Sequence, residues 1–275
     1  MSAADVTRYY QDTTRDYFAW SRGGNMHFGL WKRGLSLVDA EGMIEAMNAE
    51  VIERLALAPR ARVADLGCGL GATTRVLAAR GHRPVGVTLV GAQAADARAL
   101  VDDAGADFVV ADYARTPFRT ASFDGAFCLE SACHAPGADK AVLLHEVARV
   151  LRPGARFVVA DAFLKRTPLS PVTRAAVRIL ERMWAVPLFA RLRPFLAALE
   201  RAGFVDVRVD DVSWRVAPTV LRAPLVSSRF LVDAARHRTR LSAWRWKHAL
   251  ASVPLLISTA DRTGFAYCIV TATRR

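Results

Sequence analysis

The stretch Val63-Ala-Asp-Leu-Gly-Cys-Gly-Leu-Gly71 constrains this 275-residue chain more than any other. An apolar run enters Asp65, and glycine then takes alternate positions, Gly67, Gly69 and Gly71. A short apolar run closed by glycine reads as a buried strand ending in a tight turn. Glycine accepts the backbone angles such a turn needs and lets a ligand come close to the chain. The helical pattern ATTRVLAARG follows at once, so the free N–H groups of a helix N-terminus face the same turn. The alternation then repeats. Strand-like runs occupy residues 61–67, 83–90, 107–112, 123–131, 156–163, 204–212 and 265–275, with helical patterns at 72–81, 92–105, 138–154 and 193–203. This predicts a Rossmann-like α/β fold, a seven-stranded, mostly parallel sheet with helices on both faces. The last two strands lack an obvious crossover helix of standard length, which leaves room for a reversed strand at the sheet edge.

Three stretches stand outside the alternation. Residues 1–58 read as helical, with Met43, Met47, Val51 and Leu55 at helical spacing. Residues 165–192 and 214–262 interrupt the later strands. They are expected to cap the carboxyl edge of the sheet, where ligands of open α/β folds bind. One domain is expected: an N-terminal helical cap (1–58), a ligand-binding core (59–163), cap insertions (164–192 and 213–262) and closing core elements (193–212 and 263–275).

Hydrophobic residues at 52% and charged residues at 23% exclude a disordered or collagen-like chain. No apolar run approaches the ~18 residues of a membrane span, and the N-terminus has no signal-peptide core; a cytoplasmic location is expected. Cys68, Cys128, Cys133 and Cys268 form no CxxC pair and no zinc spacing with histidine. They are expected to be small buried hydrophobes, and no metal is expected. The net charge of +12 is uneven: residues 162–275 hold 20 basic and 7 acidic side chains, the first 161 hold 18 and 19. An excess confined to one segment suits an anionic substrate, an acidic membrane surface or a nucleic acid, or is simply a solvated face. Residues 228–250 read as a basic amphipathic helix or pair, able to rest on an anionic membrane or to pair with a diphosphate or carboxylate.

The glycine turn admits two ligands. Its GxGxG spacing is not the GxGxxG of dinucleotide folds, and the region 86–93, where NAD needs an acid for its ribose, has none. No Walker loop is present. The stronger reading is S-adenosylmethionine. Asp112, ending the third strand, is placed either to accept an adenine amino hydrogen or to cap a turn, and Tyr113 to line the same pocket.

Taken together, DLGCGLG, GVTLVGAQ, VADYARTPFRTASFD and HEVARVLRPGARFVVAD, in this order, resemble the core motifs of class I S-adenosylmethionine-dependent methyltransferases over residues 60–163. More narrowly, MHFGLW (26–31), LESACH (129–134) and WAVP (184–187) resemble the sterol, tocopherol and terpenoid methyltransferase group. Pieces are shared with plant N-methyltransferases and lipid cyclopropane synthases. The resemblance implies that Asp65, Gly67 and Gly69 hold the methionine end of the cofactor, that Thr88 and Gln93 lie near its ribose, that Asp112 and Tyr113 hold adenine, and that Leu129 and Glu130 border the reaction chamber. Val90 stands where relatives often have serine.

Methyl transfer from a sulfonium needs little acid catalysis; positioning and desolvation supply most of the rate. The acceptor decides the rest. An O–H or N–H acceptor needs a base, whereas an alkene becomes a carbocation that needs electron-rich walls and then a base. Seven aromatic residues lie within the first 31. Of these Tyr17, Trp20, Phe28 and Trp31 are expected to line the acceptor pocket, together with Phe163 and Trp184 from later in the chain. Glu130, at the carboxyl end of an apolar strand, is the candidate base or cation stabiliser, with His134 and His27 behind it. Carbon methylation of an isoprenoid or related natural product is the leading expectation. O- or N-methylation follows, then a cyclopropane synthase-like reaction and a non-catalytic cofactor-binding protein. Nucleic-acid methylation is not expected, because no Pro-Pro motif is present. The expected partner is an apolar, possibly anionic small molecule; membrane contact and a monomer or homodimer stay open.

Overall fold

In the computed structural model, which describes residues 2–101 and 105–275, eight strands form one sheet. β1 (Arg62–Leu66), β2 (Arg83–Thr88), β3 (Asp107–Val110), β4 (Phe123–Leu129) and β5 (Leu151–Leu164) are parallel. β6 (Ala190–Arg191) adds two residues beside the end of β5, off the main path. β7 (Phe204–Asp211) and β8 (Phe265–Arg274) complete the order β3-β2-β1-β4-β5-β8-β7. The seven-stranded path is the expected one, but the reversed strand is not at the edge. β8 runs antiparallel to both β5 and β7 and lies between them. Its eight consecutive buried residues explain the position, since a strand covered on both faces reads as an unbroken apolar run.

Helices α1 (Ala3–Thr13), α2 (Ala40–Leu55), α3 (Ala72–Ala79), α4 (Gly91–Ala99), α5 (Ala141–Val150), α6 (Pro171–Met183), α7 (Leu192–Arg201), α8 (Ser213–Arg236), α9 (Ala243–Leu250) and α10 (Ser252–Ala260) account for the rest. The helix expected over 92–105 ends at Ala99, and residues 102–104 of it lie outside the described residues. The helix expected to run to residue 154 stops at Val150, and β5 begins at Leu151. Residues 1–58 are not uniformly helical: a 3₁₀ turn (Thr14–Ala19) and an irregular segment separate α1 from α2.

Alternation along the strands divides the core. Ala64, Leu66, Cys128, Phe157 and Val159 face Leu143, Val147, Phe195 and Leu199 on α5 and α7. Val63, Phe127, Val158 and Ala160 face Met47, Val51 and Leu55 of α2, with Leu77, Val177, Val216 and Leu255 in the same layer. α2 is therefore a flanking layer rather than part of the cap. Its N-terminus is capped by Asp39, whose Oδ1 accepts the Gly42 N–H at 2.9 Å. α1, α8, α9 and α10 close over the carboxyl ends of β1, β4 and β5. Arg245 of α9 ties that cap together, donating to both carboxylate oxygens of Asp16 at 2.7–3.1 Å.

Candidate active site

Two cavities meet at the carboxyl edge of the sheet. The smaller, about 80 Å³, lies against the glycine turn; the larger, about 430 Å³, lies under the cap. Tyr10, Met26, His27, Glu130 and His134 line both.

The smaller cleft is cut by the turn after β1. Gly67 has φ +88, and a Cβ there would stand 2.3 Å from Ser131 Cβ; Gly69 has φ +53, with the Met26 sulfur 2.7 Å from its Cβ position. No other side chain fits these positions without movement. Asp65 is buried in the wall, its Oδ2 accepting the Thr74 hydroxyl at 2.6 Å, and burial pushes its carboxyl up to about 7. Thr88 donates to Gln93 Oε1 at 2.8 Å, and Gln93 Nε2 donates to Thr14 at 2.9 Å, so these two residues link β2 to the cap. Tyr113 and Leu129 also line the cleft. Asp112 does not. It lies two residues beyond the end of β3, is exposed, and accepts the Ala114 N–H at 2.8 Å, the turn-capping role.

Glu130 stands where the cavities join. Its backbone is left-handed, φ +51, held by its N–H donating to Ala160 O at 2.8 Å. Strain of this kind in a non-glycine residue costs about 1–3 kcal/mol and persists where the surroundings over-determine it. Its Oε1 accepts the Phe28 N–H at 2.7 Å and the Tyr267 hydroxyl at 2.8 Å. Desolvation pushes the carboxyl up to about 8 against those two donors, and Asp161 adds to the rise. Asp161 itself accepts the N–H groups of Cys133 and Ala162 and is pushed up to about 6 by burial.

His134 Nε2 lies 2.8 Å from the Tyr10 hydroxyl and Nδ1 3.2 Å from Ala185 O. A carbonyl can only accept, so Nδ1 carries the proton and Nε2 accepts from Tyr10. Burial lowers the imidazole to about 4 and keeps it neutral. His27 is different: Nδ1 faces Phe28 O at 2.9 Å and Nε2 faces Asn25 Oδ1 at 3.2 Å. Burial lowers its pKa and keeps the ring neutral, so Nδ1 donates to Phe28 O and Nε2 faces the Asn25 side chain; His27 holds the 25–28 turn, and neither nitrogen is aimed at a substrate.

Tyr17, Trp20, Phe28 and Trp184 line the larger cavity as expected. Phe163 and Trp31 do not. Phe163 shares the strand face of Phe157 and Val159 and packs on Phe195 with ring centroids 5.1 Å apart, on the far side of the sheet. Trp31 is half-buried outside the cavity lining, its backbone N–H donating to Arg215 O and its indole to Leu35 O. The remaining wall is mostly apolar, from Val220, Leu221 and Phe230 of α8 to Leu255 and Leu256 of α10. One polar patch interrupts it, where the Tyr9 hydroxyl lies 2.7 Å from His248 Nδ1 and 3.3 Å from the Tyr17 hydroxyl. Arg262 is the one cation among the described residues lining this cavity, stacked over Trp214 at 3.0 Å. The basic excess thus does not converge on the pocket.

Tyr267, Asp161, His248 and Lys140 escaped the sequence reading. Lys140 is fully buried and donates to the carbonyls of Cys133, Ala135 and Leu188 at 2.5–3.1 Å, pinning the turn that carries His134. Asp161 had a signal, an acid near the end of a buried strand like Asp65. Tyr267 had none, since its strand reads as plain core.

Comparison with known proteins agrees with the geometry. Residues 64–159 match a family described as a methyltransferase domain. An O-methyltransferase of Penicillium expansum is 34% identical over 221 residues, covering 78% of this chain and 77% of that one. A 24-methylenesterol C-methyltransferase of rice is 32% identical over 218 residues, 76% of this chain and 58% of its own length. The geranyl diphosphate C-methyltransferase of Streptomyces coelicolor, solved with Mg²⁺, geranyl diphosphate and S-adenosyl-L-homocysteine, superposes with a TM-score of 0.75 at 20% identity, covering 99% of this chain and 98% of that one. The glycine cradle, the buried Asp65 and a second, apolar chamber are the parts such an enzyme needs, and the chain belongs to the class I S-adenosylmethionine-dependent methyltransferases. Within that class it is similar to the small-molecule enzymes of sterol, tocopherol and terpenoid methylation.

Proposed function

We propose that this enzyme methylates an apolar natural product held in the larger cavity, with carbon methylation of an isoprenoid or related alkene as the first reading. The observation that carries it is the position of Glu130, strained, desolvated and shared by both cavities. Asp65, Gly67 and Gly69 would hold the amino-acid end of S-adenosylmethionine in the smaller cleft, where the cofactor would supply an electrophilic sulfonium methyl. Glu130 takes the proton that the methylated alkene must lose, and its carboxylate faces the intervening cation. A carboxylate whose pKa is raised by burial is a stronger base once ionised. The rings of Tyr10, Tyr17, Trp20, Phe28 and Trp184 add stabilisation worth ~0.5–2 kcal/mol for each face that meets the cation. Arg262 is the one cation among the described residues lining the cavity, which supports a neutral acceptor rather than a diphosphate.

O-methylation is the second reading, favoured by the Tyr10–His134 contact. Neutral His134, reached through the Tyr10 hydroxyl, offers a route for a hydroxyl proton that does not pass through Glu130. Incubation with labelled cofactor and a panel of terpenoids, sterols and phenols separates the two. Label on carbon is expected. Label on oxygen alone transfers the assignment to the second reading, and no label on any apolar acceptor overturns both.

A further inference from the structure

The cap displays a surface that methyl transfer does not use. On α8, Trp214, Leu221, Leu225 and Val232 are 69%, 68%, 51% and 49% exposed. At about 100° per residue their spacing places all four within about 40° on one helix face. Trp246 and Leu250 on α9, and Val253 and Ile257 on α10, form two further exposed pairs one helical turn apart. α8, α9 and α10 pack against one another, so the three exposed apolar faces lie on adjoining helices of the cap. Scattered exposed hydrophobics need no explanation, but a concentration of this kind marks a contact site.

The charge around it has one sign. Residues 213–262 carry nine arginines and lysines against two acids. Arg229 and Arg236 lie about 40–60° to one side of the α8 stripe. Neither forms an ion pair among the described residues, nor do Arg238, Arg240 and Lys247, whereas Arg215 and Arg245 do. The surface also borders the larger cavity, because Trp214 and Leu221 line that cavity while remaining exposed.

We propose that this face of the cap docks on an anionic lipid membrane, from which the apolar acceptor passes directly into the cavity. Exposed apolar side chains beside unpaired arginines are the combination that holds a helix in the headgroup region of an acidic bilayer. No helix among the described residues is long and apolar enough to cross a membrane, so the contact is interfacial. A second copy of the chain is a poorer occupant, because two such basic faces repel.

Flotation of the full chain with vesicles of phosphatidylcholine alone, or of phosphatidylcholine and phosphatidylglycerol at about 70:30, tests this. Binding is expected only with the anionic lipid at 50 mM salt and is expected to fall steeply at 500 mM, where the Debye length is only a few ångströms. Each cation contributes about fivefold to partitioning, so R229A/R236A lowers it about 30-fold. L225S/V232S also lowers it, and both variants keep the circular dichroism and cofactor affinity of the parent. In the unmodified protein, acyl-chain-brominated lipid quenches tryptophan fluorescence, which a purely electrostatic contact would not produce. No flotation with the anionic vesicles, flotation indifferent to R229A/R236A, or a stable dimer in solution that buries this face overturns the proposal. Binding of an acidic protein in place of vesicles does so as well. Cofactor binding measured without lipid keeps the outcome separate from the methyl-transfer reading.

Discussion

Replacing Glu130 by glutamine is expected to stabilise the protein while disabling it. The folded protein holds the Glu130 proton up to about 8, whereas the unfolded chain releases it near 4.5. Between these values the folded state binds more protons, so stability falls as pH rises. Integrating that difference, the carboxyl costs the folded state roughly 1 kcal/mol at pH 5, 3 at pH 7 and 4–5 at pH 9. Glutamine has the same shape and can still accept from the Phe28 N–H and the Tyr267 hydroxyl, but it cannot ionise. The advantage of E130Q over the parent is therefore expected to be about 1 kcal/mol at pH 5 and to grow by about 2 kcal/mol by pH 7. Urea denaturation at the two pH values measures it, and turnover on a common acceptor, expected to drop ~10²–10⁴-fold, is measured beside it. Equal stability of the two proteins at both pH values would show that Glu130 is not desolvated. Unchanged turnover would remove it from the mechanism.

The other expectations concern neighbouring groups. The parent's activity should rise with pH as Glu130 ionises, with an inflection at or below about 8, because a cation bound in the smaller cleft favours the carboxylate; E130Q should show no such limb. A flat parent profile counts against a base at this position. His134 is neutral from about pH 5 upward and should add no inflection of its own. H134F leaves the Tyr10 hydroxyl without its acceptor, costing ~1–3 kcal/mol of stability, and should abolish activity only if the acceptor is a hydroxyl; assaying one alkene and one phenol decides this. K140M leaves three carbonyls without their donor and should destabilise by about 3 kcal/mol in denaturant titration; a loss under 1 would mean that the Nζ contacts carry little weight. G67A drives a Cβ into Ser131 and should weaken cofactor binding at least tenfold by calorimetry.

The strand–glycine–helix start, the order of alternating elements and the identity of the cofactor were legible in the sequence, because each rests on a local pattern. Seven apolar strands with short turns admit few topologies, and a turn with glycine at alternate positions has few uses. Glu130 was also legible, as a lone acid ending an apolar strand. What a side chain faces was not. Phe163 reads as pocket material but lies on the opposite face, since a single position along a strand reverses its direction. His27 and His134 look alike in sequence and differ only in what the fold sets against their second ring nitrogen, the Asn25 side chain for His27 and the cavity-lining Tyr10 hydroxyl for His134. Tyr267 meets Glu130 only because β8 inserts beside β5 in reversed direction, bringing together residues 137 apart in the chain. The raised pKa of Glu130 belongs to no residue by itself; it arises when the cap closes and removes the water that would otherwise solvate the charge.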